Sequence, residues 1–92
     1  MPALNDREIR EHLAKLNGWN RDGNEIVREF KFGKFADGIE FVRKVAAEAD
    51  AMDHHPDIDI RYTTVRLALT SHDTGGLTDR DFRLATKINT LT

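Results

Sequence analysis

The sequence predicts an α+β fold, a two-layer sandwich of a four-stranded antiparallel sheet with three helices on one face, in the order αββαββα. Three observations predict it. Two stretches alternate apolar and polar residues and are each broken by a turn; segments with helical apolar spacing precede, separate and follow them; and Gly, Pro and capping residues stand at the joints. Alternation leaves one apolar face on each hairpin, and only helices laid over that face can bury it.

Asn5 followed by Glu8 has the form of a helix cap and its box partner, and Ile9, Leu13 and Leu16 share a face before Gly18 ends the segment. In "GWNRDGNEIVREFKF" the turn is at "DGN", after which Ile26, Phe30 and Phe32 share one parity and Val27, Glu29 and Lys31 the other. From Phe35 to about Asp50, the residues Phe35, Ile39, Val42, Val45, Ala46 and Ala49 recur at spacings of three and four, predicting the longest helix. Gly38 inside it lowers helix propensity by about 1 kcal/mol relative to Ala and points to close packing or a late start. Pro56 disfavours helical geometry at His55, so this helix closes before or at "DHHP". Ile58, Ile60 and Tyr62 alternate with Asp59 and Arg61, and after a turn near Thr63 the residues Val65, Leu67 and Leu69 alternate with Arg66, Ala68 and Thr70. "HDTGG" breaks the pattern, Thr78 caps the last helix, and Leu84, Ile88 and Leu91 line one side of it.

The 92 residues read as a single domain, residues 1–92, of a size at which oligomerisation adds useful stability. Several function classes are disfavoured by composition. No apolar run is long enough to span a bilayer, and the first residues, "MPALNDREIREHL", lack the apolar stretch of a secretory signal, so a cytoplasmic protein without a membrane role is expected. The absence of cysteine removes disulfides, thiolate nucleophiles and zinc-thiolate sites. A formal charge of -2, with 14 basic residues scattered among 16 acidic ones, gives no basic footprint, and direct nucleic-acid binding is not expected.

The chemistry concentrates in the histidines. His12 reads as a surface residue, since nothing near it in the sequence pairs with it. His54 and His55 precede one strand of the second hairpin and His72 follows the other, so antiparallel pairing returns position 71 or 72 to the neighbourhood of the pair. Imidazoles titrate near neutral pH, and proton transfer is the natural use of such a cluster. Two other readings stay open at this point: solvated or capping residues at strand ends, and a mixed histidine and carboxylate metal site drawing on Asp53, Asp57, Asp59 or Asp73. Neither HxH nor HExxH spacing occurs, and no metal site is assigned. Asp81 in "TDRD" fits a capping box, and the same place lets its carboxylate orient a histidine.

Taken together, these residues resemble the pterin-4a-carbinolamine dehydratase family. Asp50, three residues, "HHP" from His54 to Pro56, a hairpin, His72 and then Asp81 nine residues later follow the family's spacing, and "SHDTGGLTDRD" is similar to its "THDxGGLxxRD". Gly18-Trp19 and "REFKFGKFADGIEFV" extend the resemblance over nearly the whole chain.

The resemblance implies the αββαββα fold and dehydration of 4a-hydroxytetrahydropterin to quinonoid dihydropterin, a step in recycling the cofactor of aromatic amino-acid hydroxylases, with no metal or organic cofactor. It implies that His54 and His72 carry the acid and base steps, that His55 holds the pterin, that Asp81 fixes a histidine tautomer, and that Asp50 and Pro56 shape the pocket. Ile58 departs from the Trp that many members carry there, which bears on which pterin is preferred. The partners implied are a small-molecule pterin and further copies of the chain, as a homodimer or homotetramer, with Phe41, Val42 and Val45 as candidates for the helix contact and core burial an equal account of them. Two alternatives are a non-catalytic pterin-binding or dimerisation module, as some family members act as partners of a transcription factor, and a related activity on a different pterin.

Overall fold

The computed structural model describes residues 2–92, so that Met1 of the expected domain lies outside the described residues. Its elements are α1 (Asp6–Ala14), β1 (Asn20–Asp22), β2 (Glu25–Lys31), α2 (Phe35–Met52), β3 (Asp57–Arg61), β4 (Thr64–Leu69) and α3 (Asp79–Asn89). This is the expected αββαββα order. The strands form one sheet in the order β1-β2-β4-β3, and every neighbouring pair is antiparallel.

α1 begins where the capping residues place it. Asn5 Oδ1 accepts the Glu8 N–H at 2.8 Å, and the Asn5 N–H donates to Glu8 Oε1 at 2.9 Å, so two donors orphaned at the helix start are satisfied. The helix closes at Ala14, one turn earlier than Gly18; Lys15 and Leu16 continue in tighter i to i−3 bonds, and Gly18, at φ +86, reverses the chain into β1. A side chain at Gly18 would collide with the Arg28 guanidinium, 2.6 Å away, which gives this glycine a steric reason besides its φ. Arg28 lies over the Phe30 ring at 4.4 Å and donates to Asn89 Oδ1, which also accepts from the Trp19 indole N–H at 2.9 Å. The first hairpin is thereby tied to the end of α3.

Ile26 and Phe30 from β2, with Val65, Leu67 and Leu69 from β4, are the buried sheet face, and the register sets Ile26 against Leu69 and Phe30 against Val65. Ile58 and Ile60 of β3 share that face, opposite Leu67 and Val65, but stay more than a third exposed because β3 is an edge strand beyond full helix cover.

α2 buries Gly38, Phe41, Val45 and Ala49. This corrects the expected face: Phe35, Ile39 and Ala46 are exposed and Val42 is half-buried, while Phe41 and Val45 belong to the core and are withdrawn from any contact with another copy. The helix carries two adjacent apolar stripes about 100° apart, one residue step of 3.6 per turn. The stripe containing Gly38 is the one that faces the sheet, and a Cβ at that position would lie in contact, 3.4 Å, with both Phe32 and Val65. Phe41 then reaches Phe30 and Phe32, with ring centroids at 4.6 and 5.2 Å.

Candidate active site

The site begins with the way α2 ends. Asp53 takes the left-handed conformation (φ 49, ψ 44); its N–H bonds the Asp50 carbonyl at 3.2 Å, and the next N–H, that of His54, bonds the Ala49 carbonyl at 3.1 Å. Such a paired closure turns the chain sharply and sends the residue after the left-handed one back against the last turn. His54 is consequently buried and His55, its successor on a chain made extended by Pro56, points outward.

Inside the protein, His54 Nε2 meets Asp81 Oδ1 at 2.6 Å. The other carboxylate oxygen, Oδ2, accepts the Thr78 N–H at 2.9 Å and the Ser71 hydroxyl at 2.9 Å. Asp81 therefore closes the start of α3 with one oxygen and holds a histidine with the other, so the two roles open in the sequence coexist. Ser71 has one hydroxyl proton and spends it on Asp81, so the 2.8 Å contact between Ser71 Oγ and Thr78 Oγ1 is a bond donated by Thr78. Ser71, Thr78 and Asp81 are essentially inaccessible, and among the described residues no buried side-chain polar atom lacks a partner. With Asp81 ionised, an acceptor only, the His54 proton is assigned to Nε2 and Nδ1 is left free.

Asp81 was expected to hold a histidine without the sequence saying which, and the structure makes it His54; Ser71 and Thr78 as members of one network were not expected. The register supplies the explanation. β3 and β4 pair Asp57 with Ala68 and Ile58 with Leu67, and the same count continued brings His54 opposite Ser71 rather than His72.

His72 is presented differently. The Ser71 carbonyl accepts N–H groups from Thr74, Gly75 and Gly76, and the Ser71 N–H bonds the Gly76 carbonyl, so residues 71–76 form a tightly knotted loop with His72 and Asp73 exposed on it. Gly75, at φ +78, makes that closure possible. His72 lines a shallow depression with Asn24, Glu25, Thr70 and Gly75, and no side-chain hydrogen bond among the described residues claims its ring. The next residue, Asp73, accepts a hydrogen bond from Arg80 on α3 at 2.7 Å, and that guanidinium holds the Asp73 carboxyl below the usual carboxylate range.

His55 is on the surface, its Nε2 2.9 Å from Asp50 Oδ1 one helical turn back. The three histidines are thus distributed, two on aspartates and one on the loop. Among the described residues no three His, Cys, Asp or Glu side chains gather closely enough to hold a metal ion. Pro56 is half-buried at the junction, and Ile58, partly exposed on the edge strand β3, offers aliphatic surface but no ring to stack on a flat ligand.

Comparisons with known proteins bear on the family and the fold. The family model described as pterin 4 alpha carbinolamine dehydratase matches residues 2–91. A protein of Chloroflexus aurantiacus, provisionally named pterin-4-alpha-carbinolamine dehydratase, is 55% identical over 89 residues, covering 97% of this chain and 96% of its own. One of Sulfolobus acidocaldarius with the same provisional name is 45% identical and covers 94% of each chain. Among solved structures, a transcriptional coactivator/pterin dehydratase from Brucella melitensis superposes with a TM-score of 0.93 at 33% identity, over 97% of each chain. A pterin dehydratase-like protein identified as a RuBisCO assembly factor in the alpha-carboxysome, at 23% identity and a TM-score of 0.69, shares the fold over 82% of this chain and 89% of its own.

Proposed function

The chain belongs to the pterin 4 alpha carbinolamine dehydratase family, and from that premise we propose that it is a hydro-lyase removing water from 4a-hydroxytetrahydropterin to give quinonoid dihydropterin, in pterin recycling. The observation that carries the reading is the His54 imidazole held on the buried Asp81 carboxylate at 2.6 Å. A buried carboxylate on Nε2 fixes the orientation and tautomer of the ring and leaves Nδ1 for a ligand, the arrangement an imidazole needs to give or take a proton at a defined place.

The elimination needs two proton movements. An acid protonates the 4a-hydroxyl, which leaves as water with the C4a–O electron pair; a base removes the proton from the adjacent ring nitrogen, whose electrons complete the new C=N bond. His54 through Nδ1 and His72 from the loop share these steps, with His55 holding the pterin and Asp50 and Pro56 shaping the approach. Ser71 and Thr78 act through Asp81 and are positioning residues.

The test is the dehydration rate of chemically generated 4a-hydroxytetrahydropterin with wild type, His54→Ala and His72→Ala. Acceleration by wild type and a fall of about 10² or more in each variant is the expected result, the usual range for a lost acid or base. Wild-type rates in both variants overturn the assignment of roles, and no acceleration by wild type overturns the reaction.

A second reading, favoured by exposed apolar surface, is that copies of the chain associate. Phe35 and Ile39 on α2 and Ile58 and Ile60 on the edge strand β3 are 49, 40, 39 and 38% exposed, and an uncovered edge strand is a ready pairing surface. A homodimer or homotetramer built on these residues, instead of Phe41 and Val45, supports either catalysis or a purely binding role.

A further inference from the structure

His12 is not the isolated surface residue its sequence context implied: it is half-buried, and its ring lies flat on that of Phe82 with centroids 4.7 Å apart and planes 16° from parallel. This stacked pair lines a concavity of about 560 Å³ between α1, the end of α2 and the outer face of α3. None of His54, His55, His72 or Asp81 lines it. We propose that this concavity is a second ligand site, taking a small planar aromatic acid.

The argument rests on what each wall offers. The apolar part is the His12 ring, backed by the buried Phe82 it stacks on, with the thioether of Met52 beside it, a polarizable surface of the kind an aromatic ring stacks on. The cavity residues of α3 are Asp79, Phe82, Arg83, Thr86, Lys87 and Thr90, recurring at spacings of three and four along one stripe. Thr86 donates its hydroxyl proton to the Phe82 carbonyl at 2.8 Å and Thr90 to the Lys87 carbonyl at 2.6 Å, so both oxygens are left as acceptors. Arg83 makes no hydrogen bond among the described residues and approaches its only carboxylate neighbour, Asp79, no closer than 4.0 Å, while Lys87 has no ion pair among them. Two cations one turn apart beside an aromatic floor match a ligand with a flat apolar body and a carboxylate, and the guanidinium fork can take both carboxylate oxygens. A volume of this size is that of an ordinary small-molecule cleft.

The experiment titrates the whole chain with 2-naphthoate and, as the uncharged match, 2-naphthalenemethanol, following His12 ring proton shifts by NMR and affinity by calorimetry. Saturable binding of the naphthoate that moves the His12 resonances, and that weakens about tenfold or more in Arg83→Ala and Lys87→Ala, is the expected result. Arg83 is 66% exposed, so its replacement leaves folding intact. Unchanged affinity in both variants, equal binding of the alcohol, or His12 shifts that stay still overturns the proposal. Loss of binding in His54→Ala also overturns it, by placing the probe at the other site.

Discussion

His54 and His55 are neighbours in the chain, and each meets an aspartate through Nε2, yet the two pairs live in different solvents. The His54–Asp81 pair, at 2.6 Å, has side chains 8 and 0% exposed; the His55–Asp50 pair, at 2.9 Å, has side chains 57 and 78% exposed. The separation comes from backbone geometry alone. The left-handed Asp53 turns His54 inward, and the extended chain before Pro56 turns His55 out. In water an ion pair gives little, because solvent already satisfies both groups and screens their attraction. In the interior each member depends on the other, and a missing partner leaves a polar group with nothing to replace it. The buried pair is thus suited to holding a ring in one orientation, and the exposed pair to a side chain that must stay free to meet a ligand.

Asp81→Ala is the sharpest way to break this comparison. It leaves His54 Nε2, the Ser71 hydroxyl and the Thr78 N–H without their acceptor, and a loss of about 3–5 kcal/mol is expected, a large share of the stability of a domain this small. Urea unfolding measures it, and Asp81→Asn, which keeps the shape, supplies a folded variant if the alanine form does not fold. A loss below about 1 kcal/mol, within the range of a surface pair, shows that burial does not set the two pairs apart.

Ser71→Ala is the intermediate case. It removes one of the two bonds on Asp81 Oδ2 and the acceptor of the Thr78 hydroxyl, and a cost of about 1–3 kcal/mol is expected for the groups left unpaired. Because Ser71 touches His54 only through Asp81, the dehydration rate constant should fall with little change in KM, and the pH profile should move with it. Threonine at the same position returns the hydroxyl and tests rescue. A stability loss with an unshifted pH profile makes Ser71 a structural residue only.

How much of this was legible in the sequence follows from the same residues. The spacing of "HHP", the helix-breaking effect of Pro56 and the carboxylate of "TDRD" are local signals, and each led to the correct element and, for Asp81, to a histidine as partner but not to which one. The partner of His54 across the hairpin was less legible, because it depends on where the turn is centred. The turn consists of Tyr62 and Thr63, so that Arg61 pairs with Thr64; centring it on Thr63 alone slips the count by one and exchanges Ser71 for His72. A slip of one residue exchanges the two faces of a strand, and here it separates a buried hydroxyl from an exposed imidazole. The orientation of α2 was hidden for another reason. Its two apolar stripes have similar periodicity, and only the sheet surface it meets, at Phe32 and Val65, selects the one that carries Gly38. His12 was illegible because its partner, Phe82, is 70 residues away and is not among the residues, Leu84, Ile88 and Leu91, whose spacing marked the apolar side of α3.

The smallest effect belongs to the exposed pair. Asp50→Ala removes the partner of His55 at the surface, and a double-mutant cycle with His55→Ala should return a coupling of about 0.5 kcal/mol or less. If His55 holds the pterin, the single variant His55→Ala raises KM while kcat stays within a fewfold range, the signature of lost binding felt equally in ground and transition states. Asp50→Ala then has a smaller effect in the same direction, since it frees the ring without removing it. Should His55→Ala instead lower kcat as far as His54→Ala does, the two environments do not divide the labour between the neighbouring histidines, and the exposed imidazole takes part in proton transfer as well.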